Sequence, residues 1–182
     1  GPAGVIGSPD YFGTLGTGWY IPAGFAIPLP TLSCPFPNGE ILYAVPGSPL
    51  VLERTVRHLR GRDDIDLVVL PAMSFLDVAW ARLGIDPVEA GVRLVDGHDF
   101  ATAAAGERGP LLVAHTHANW VLSEIKLAVD GATGDEPVTI LQALGTPDEL
   151  IVDTTWAELD RTVTADHLTS IWIPELATPV GA

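Results

Sequence analysis

Basic residues are scarce: nine Lys and Arg stand against 23 Asp and Glu, which leaves a formal net charge of -14 at pH 7. A nucleic-acid binder needs a basic face to neutralise phosphates, and anionic lipid repels a surplus of negative charge. Neither nucleic acid nor a membrane surface is therefore an expected partner, and a small-molecule ligand is. Cysteine is almost missing. Cys34 stands alone, permits no internal disulfide and fits a reducing compartment, so a cytoplasmic setting is expected. Long apolar runs are missing too: the uncharged stretch 19–32 is broken by Pro22, Pro28 and Pro30 and is too short to span a bilayer as a helix. No basic segment leads into an apolar run near the start, so a secretory signal is not visible. Even charge is missing at first, since residues 1–52 carry only Asp10 and Glu40.

What remains is apolar and long enough to fold. With 182 residues, 47% of them apolar and 18% charged, a chain buries roughly 70% of its unfolded surface, enough for one large core or two small ones. The opening segment 1–39 differs from the rest. Its seven prolines and eight glycines follow no helical or alternating period and read as irregular backbone. The run GTLGTG at 13–18 looks like a phosphate-cradling loop, but no strand precedes it and no Lys or helix start follows, so it reads as coil.

Regular signals begin at residue 40. EILYAV (40–45) is a short strand, and residues 50–60 fit a helix with Ser48 as N-cap, Pro49 in the first turn and Gly61 as the stop. A second strand, IDLVVL (65–70), leads to Ser74 and Asp77, whose Ser-x-x-Asp spacing opens a helix that Gly84 ends. This β-α-β-α order predicts parallel pairing and an α/β class. The alternation continues with strands at 92–95 and 111–115, a helix at 118–130 and a strand at 138–144. Val121, Ile125 and Val129 give that helix one apolar stripe. A short strand at 151–153, a helix capped by Thr155 and Glu158, and a strand at 168–173 complete the reading.

In α/β sheets ligands settle at the C-terminal ends of strands, where turns and free N–H groups converge. Three Gly/Pro/Ser/Thr turns follow apolar strands: VPGSPL (45–50), LPAMSF (70–75) and LGTPDE (144–149). His115 and His117 alternate at strand spacing, so both are expected on one side. With Cys34 and His98 remote in sequence they lack a third ligand, and they read as solvated or hydrogen-bonded residues with no metal. Arg54, Arg57, Arg60 and Arg62 read as a solvated face paired with Asp63, Asp64 and Asp66, a phosphate contact being the alternative. No Glu-x-x-Glu, Glu-x-x-His or Gly-x-Ser-x-Gly grouping occurs, and Cys34 has no placed partner. The residues therefore offer no catalytic nucleophile.

Six ordered stretches carry a resemblance: YAVPGSPLVLERTVRHLR (43–60), VVLPAMSFLDVAWARLGIDP (68–87), VRLVDGHDF (92–100), GPLLVAHTHANWVLSEIKLAV (109–129), VTILQALGTPDELIV (138–152) and WAELDR (156–161). Together they resemble the tetrapyrrole (corrin/porphyrin) methylases, above all the methylase-like N-terminal region fused to MazG-type nucleotide pyrophosphohydrolases. The resemblance implies two α/β domains with a ligand cleft between them, S-adenosylmethionine as cofactor and a homodimer. It divides the chain into an irregular segment 1–39, the remainder of an N-terminal domain at 40–76 and a C-terminal domain at 77–182. The family's cofactor turns fall on Gly47, Ser48 and Pro49, on Ala72, Met73 and Ser74 after Pro71, and on Gly145 and Thr146. Ser48 stands where the family has an acid, and Ala72 where it has glycine. The family's opening strand, Gly-rich loop and helix are echoed only by GPAGVIGSPD (1–10), so the first domain is expected to be incomplete. The implied function is an S-adenosylmethionine-dependent methyltransferase. The alternative is a noncatalytic binding or regulatory domain related to the MazG-type enzymes, without their hydrolase site.

Overall fold

The computed structural model describes residues 2–7, 42–45 and 47–181. The GTLGTG run and Cys34 lie outside the described residues. The fold is mixed α/β, and the chain divides into two compact units, Gly1–Val78 and Ala79–Ala182.

In the first unit β1 (Pro2–Gly7) is the centre of a parallel three-stranded sheet, flanked by β2 (Leu42–Val45) and β3 (Asp66–Leu70) in the order β2-β1-β3. The segment 1–39, read as irregular backbone, thus includes a strand at Pro2–Gly7. The expected parallel pairing holds, but β2 and β3 each pair with β1 rather than with one another. Composition hid β1 because a six-residue strand with Pro and two Gly has no clear period.

Helix α1 is shorter than expected. It runs Arg54–Arg60, capped by Glu53, whose carboxylate accepts the N–H of Thr55 at 3.0 Å, and ends at Gly61. Ser48 and Pro49 form a turn instead of opening the helix, and the N–H of Val51 donates to the Ser48 carbonyl at 3.2 Å. On α1 only Val56 is buried. It packs with Val45 and with the half-buried Tyr43, Leu67 and Val69. In β3 the alternation leaves Val68 and Leu70 exposed, as period two requires.

Helix α2 (Phe75–Leu83) starts as the sequence predicts: the N–H of Ser74 donates to Asp77 Oδ2 at 2.8 Å and the N–H of Leu76 to Ser74 Oγ at 3.2 Å. These reciprocal bonds satisfy donors that a helix start leaves open.

The second unit holds a five-stranded sheet in the order β4-β5-β8-β6-β7. β4 (Arg93–Asp96) and β5 (Leu111–Ala114) are parallel. β8 (Thr169–Ile173) lies antiparallel between β5 and β6 (Pro137–Gln142), and β7 (Leu150–Thr155) closes the edge, antiparallel to β6. LLVA of β5 and TSIWI of β8 are buried at every position, as continuous apolar runs in a sheet interior should be. Helix α3 (Phe100–Ala103) and helix α4 (Asn119–Leu127) join them. The expected stripe of α4 is borne out: Val121 and Ile125, with Val129 just past its end, enter a core with Leu111, Val113, Ile140, Ile171 and Ile173. The helix expected after Thr155 is only a 3-10 turn, Trp156–Glu158, with no side-chain cap. There β7 runs on to Thr155, so the threonine is spent on the ladder. Among the described residues no helix is long and apolar enough to cross a membrane.

Candidate functional site

Two of the three strand-end turns meet within the first unit. At Gly47, where φ is +75°, a Cβ would stand 3.7 Å from the Met73 carbonyl oxygen, 3.9 Å from the Phe75 nitrogen and 4.0 Å from the Ser74 Cα. The turn after β2 thus rests on the turn after β3, and its positive φ suits a residue without a Cβ. With β2 and β3 on opposite sides of β1, both turns stand at the C-terminal ends where the strand order reverses, the usual place for a ligand in such sheets. Pro49 and Ser74 are buried, whereas Met73 is 53% exposed. A groove of about 460 Å³ lined by Leu50, Leu59, Arg60, Arg62 and Leu67 shares only Leu50 with these turns. It belongs to the α1 side of the unit.

The third turn, in the second unit, is stiffened from within. Ala143 and Gly145 have φ of 52° and 77°. Thr146 Oγ1 donates to the Ala143 carbonyl at 2.8 Å and accepts the N–H of Asp148 at 3.2 Å. The N–H of Gly145 donates to Glu149 Oε2 at 2.6 Å, and Arg82 Nε donates to Glu149 Oε1 at 2.6 Å. The Arg82 guanidinium, then the Gly145 N–H, hold the Glu149 carboxyl below the usual carboxylate range.

A second constellation forms where β4 and β5 end. Asp96 pairs with Ala114 in the parallel register, so the residues that follow both strands emerge side by side. His115 leaves β5 with φ of 60°, so the expected strand alternation of His115 and His117 does not occur. Instead His115 Nδ1 lies 2.9 Å from Asp96 Oδ2, and His98 Nδ1 lies 3.0 Å from Asp96 Oδ1. His98 stacks on His117 with ring centroids 5.0 Å apart, and His117 stacks on His167 at 5.6 Å and 6°. Trp120 stands edge-on to His117. Burial raises the Asp96 carboxyl, but bonds from His115 and from the His98 N–H more than offset this and leave it below its ordinary range.

A sequence profile of the Tetrapyrrole (Corrin/Porphyrin) Methylases matches residues 36–160. The chain belongs to this family. A relative from Bacillus subtilis (strain 168), the uncharacterized protein YabN, is 34% identical over 141 residues. That alignment takes in 75% of this chain and 29% of YabN, so the chain spans less than a third of that relative. Among solved structures, the chain is similar to precorrin-6Y methylase from Archaeoglobus fulgidus, with a TM-score of 0.54 and 24% identity over 75% of this chain and 63% of that one. It is also similar to uroporphyrin-III C-methyltransferase from Thermus thermophilus, complexed with S-adenyl homocysteine, with a TM-score of 0.56 and 19% identity over 75% and 66%. Cobalt precorrin-4 methyltransferase gives a TM-score of 0.58 at 18% identity over 73% and 63%. At these identities the likeness is one of fold.

For a tetrapyrrole methylase family member the distribution of positive charge is informative. The five basic residues after Arg62 each face a carboxylate: Arg82 with Glu149, Arg93 with Glu107, Arg108 with Glu175, Lys126 with Asp160 and Arg161 with Glu158. In the first unit Arg62 Nε donates to Asp64 at 2.7 Å, one of the pairings expected from the sequence, while Arg54, Arg57 and Arg60 are exposed on α1. Sequence reasoning missed Asp96 and His167 and set His98 aside as remote in sequence. The signal that points to Asp96 and His98 is the parallel pairing of β4 and β5, which sets Asp96 beside Ala114 and so brings the residues after both strands together; no local signal points to His167.

Proposed function

We propose that this chain is an S-adenosylmethionine-dependent methyltransferase-family domain that takes a small-molecule acceptor and holds the cofactor on Gly47, Ser48 and Pro49, on Ala72, Met73 and Ser74, and on Gly145 and Thr146. The observation that carries the reading is the seating of Gly47 on Met73, Ser74 and Phe75 at the reversal of strand order, inside the stretch matched by the family profile. The fold neighbour complexed with S-adenyl homocysteine supports the same cofactor class. The homodimer implied by the resemblance is part of this reading.

The residues fit such a group in a particular way. The hydroxyls of Ser74 and Thr146 are engaged within their own turns. What the turns offer a ligand is main chain brought close by Gly47 and the exposed thioether of Met73. Bound S-adenosylmethionine would supply a methyl group already electrophilic on its sulfonium, which explains a site with no acid–base pair. The work left to the protein is positioning donor and acceptor, and orientation alone lowers a barrier by several kcal/mol, roughly 7–11 in the best cases.

A second reading, a noncatalytic binding domain related to MazG-type nucleoside triphosphate pyrophosphohydrolases, is favoured by one observation. Polycarboxylate tetrapyrroles need free cations, and all five basic residues after Arg62 are already paired. Calorimetric titration with S-adenosylmethionine, S-adenosylhomocysteine and ATP separates the two. Micromolar binding of the first pair, about -8 kcal/mol, is the expected result. Heat with ATP alone points to the second reading. No heat with any ligand, from a chain that circular dichroism reports as folded, overturns the methyltransferase reading.

A further inference from the structure

Four of the chain's five histidines gather beside Asp96: His98, His117 and His167 stack in turn, and His115 meets His98 edge-on. Neither the methyl-transfer reading nor the fold uses them. Among the described residues, one group of His, Cys, Asp or Glu presents three ligand atoms in mutual reach: Asp96, His98 and His115, with those atoms all within 4.8 Å of one another. We propose that Asp96, His98 and His115 bind a divalent transition-metal ion of the Zn²⁺ class, through one carboxylate oxygen and one ring nitrogen from each imidazole.

Donor chemistry sets the class. Two imidazoles and one carboxylate suit Zn²⁺, Co²⁺, Ni²⁺ or Cu²⁺, whereas Mg²⁺ and Ca²⁺ take oxygen ligands. Ligand distances of about 2.0–2.2 Å place neighbouring donors of a tetrahedral ion roughly 3.4 Å apart. The three ligand atoms, all within 4.8 Å of one another, would draw in toward that spacing on binding. Three protein ligands leave a fourth position for water, and exposure of His98 gives an ion a path from solvent.

The support under the ligands is firm. Asp96 ends β4 in register with Ala114 of β5. The N–H of His98 donates to Asp96 Oδ1 at 3.1 Å, which ties the 3-10 turn Gly97–Asp99 to the acid that would ligate. Gly97 is pressed against the strand end, since a Cβ there would meet the Ala114 carbonyl oxygen at 3.0 Å. Thr116 Oγ1 donates to the Thr169 carbonyl at 2.8 Å and anchors the loop that carries His115 and His117. Asp96 has no arginine or lysine partner among the described residues, unlike Glu107, Glu149 and Asp160. Its only charged-pair candidates are the two imidazoles. An acidic chain of net charge -14 also concentrates cations near its surface.

The test uses the full chain without an affinity tag, titrated with ZnCl₂ in a non-coordinating buffer. It is independent of any S-adenosylmethionine titration. One equivalent of Zn²⁺ binding at micromolar or tighter affinity is expected. His98→Gln and His115→Gln should each weaken it at least tenfold, and His58→Gln, on α1 outside the cluster, should leave it unchanged. If the ligand variants unfold, Co²⁺ added to the unaltered protein provides the second measurement, since its paramagnetic shifts should be largest for the rings of His98 and His115. Absence of binding, binding by the ligand variants as tight as that of the unaltered protein, or strongest Co²⁺ shifts elsewhere in the chain would overturn the proposal.

Discussion

The ammonium of Lys126, the only lysine in the chain, lies 2.7 Å from Asp160 Oδ1 and 2.6 Å from the Ala157 carbonyl. Ser123 Oγ donates to the other carboxylate oxygen of Asp160 at 2.8 Å. Both charged side chains are about four-fifths buried. This pair fastens α4 to the 3-10 turn after β7, and removing one member strands the other in a partly dry place. Asp160→Ala is expected to destabilise the second unit by about 1–3 kcal/mol in urea unfolding. Arg161→Ala, at a 65% exposed side chain, should cost no more than about 0.5 kcal/mol. Equal costs would show the pair to be decorative.

Acid should weaken the same region. Burial raises the Asp160 carboxyl, but bonds from Lys126 and Ser123 overcome this and hold it below its ordinary range. At Glu136 burial also raises the carboxyl, and the N–H groups of Thr133 and Gly134, both at 2.8 Å, more than offset it. The folded state therefore binds protons less readily than the unfolded chain, whose values lie at about 3.9 for Asp and 4.3 for Glu. Stability from these groups is present above those values and is lost as pH falls through the lower folded ones. Melting temperatures followed from pH 7 to pH 3 should fall below about pH 4.5, and less steeply in Glu136→Gln. A parallel fall in both proteins would sink the assignment.

Gly109 makes a sharper backbone prediction. Its φ is +109°, and a Cβ would lie 2.8 Å from the Pro174 carbonyl oxygen and 3.1 Å from that of Ile173. Backbone cannot yield as a flexible side chain does, so Gly109→Ala is expected to cost about 2–4 kcal/mol in thermal unfolding. A loss below about 0.5 kcal/mol, the range of neutral surface changes, would contradict the close approach.

The two faces of α4 should respond very differently. Ile125 is 1% exposed inside the core and Leu127 is 81% exposed. Ile125→Ala should cost about 2–5 kcal/mol, as large-to-small core changes do, and Leu127→Ala less than about 0.5 kcal/mol. Chemical denaturation of the two variants checks the orientation of the helix directly.

Cofactor affinity should depend on the first turn. A β-branched residue at φ of +75° is strained, and its branches would push against the main chain at Met73 and Ser74. Gly47→Val is therefore expected to lower S-adenosylmethionine affinity at least tenfold, about 1.4 kcal/mol, in a chain whose near-ultraviolet circular dichroism stays native. Unchanged affinity would remove Gly47, Ser48 and Pro49 from the proposed site.

Local signals were the legible ones. The Ser74–Asp77 cap and the Val121–Ile125 stripe depend on neighbours three or four residues apart, and both appear as read. Ser48 and Thr155 obey the same cap rules on paper, yet tertiary pairing claims Thr155 for β7, and Glu53 caps α1 in place of Ser48. Strand order was not legible: nothing local in TSIWI says that it inserts between β5 and β6. The histidine cluster depended on that same missing information. His98 and His115 are 17 positions apart and meet because β4 and β5 are parallel neighbours, a relation that spacing along the chain does not encode.

The place of β8 also sets a schedule. It is the last strand of its sheet to be synthesised and stands in the middle of that sheet, bonded to β5 on one side and β6 on the other. Until residues 169–173 have left the ribosome, β4–β5 and β6–β7 are separate two-stranded ribbons, each with an unsatisfied apolar edge and little stability of its own. At a synthesis rate of about 5–20 residues per second, the nascent second unit spends seconds as two halves. A messenger cut short just before Thr169 would leave a chain with every other strand of that sheet present and both inner edges open to pairing with its neighbours.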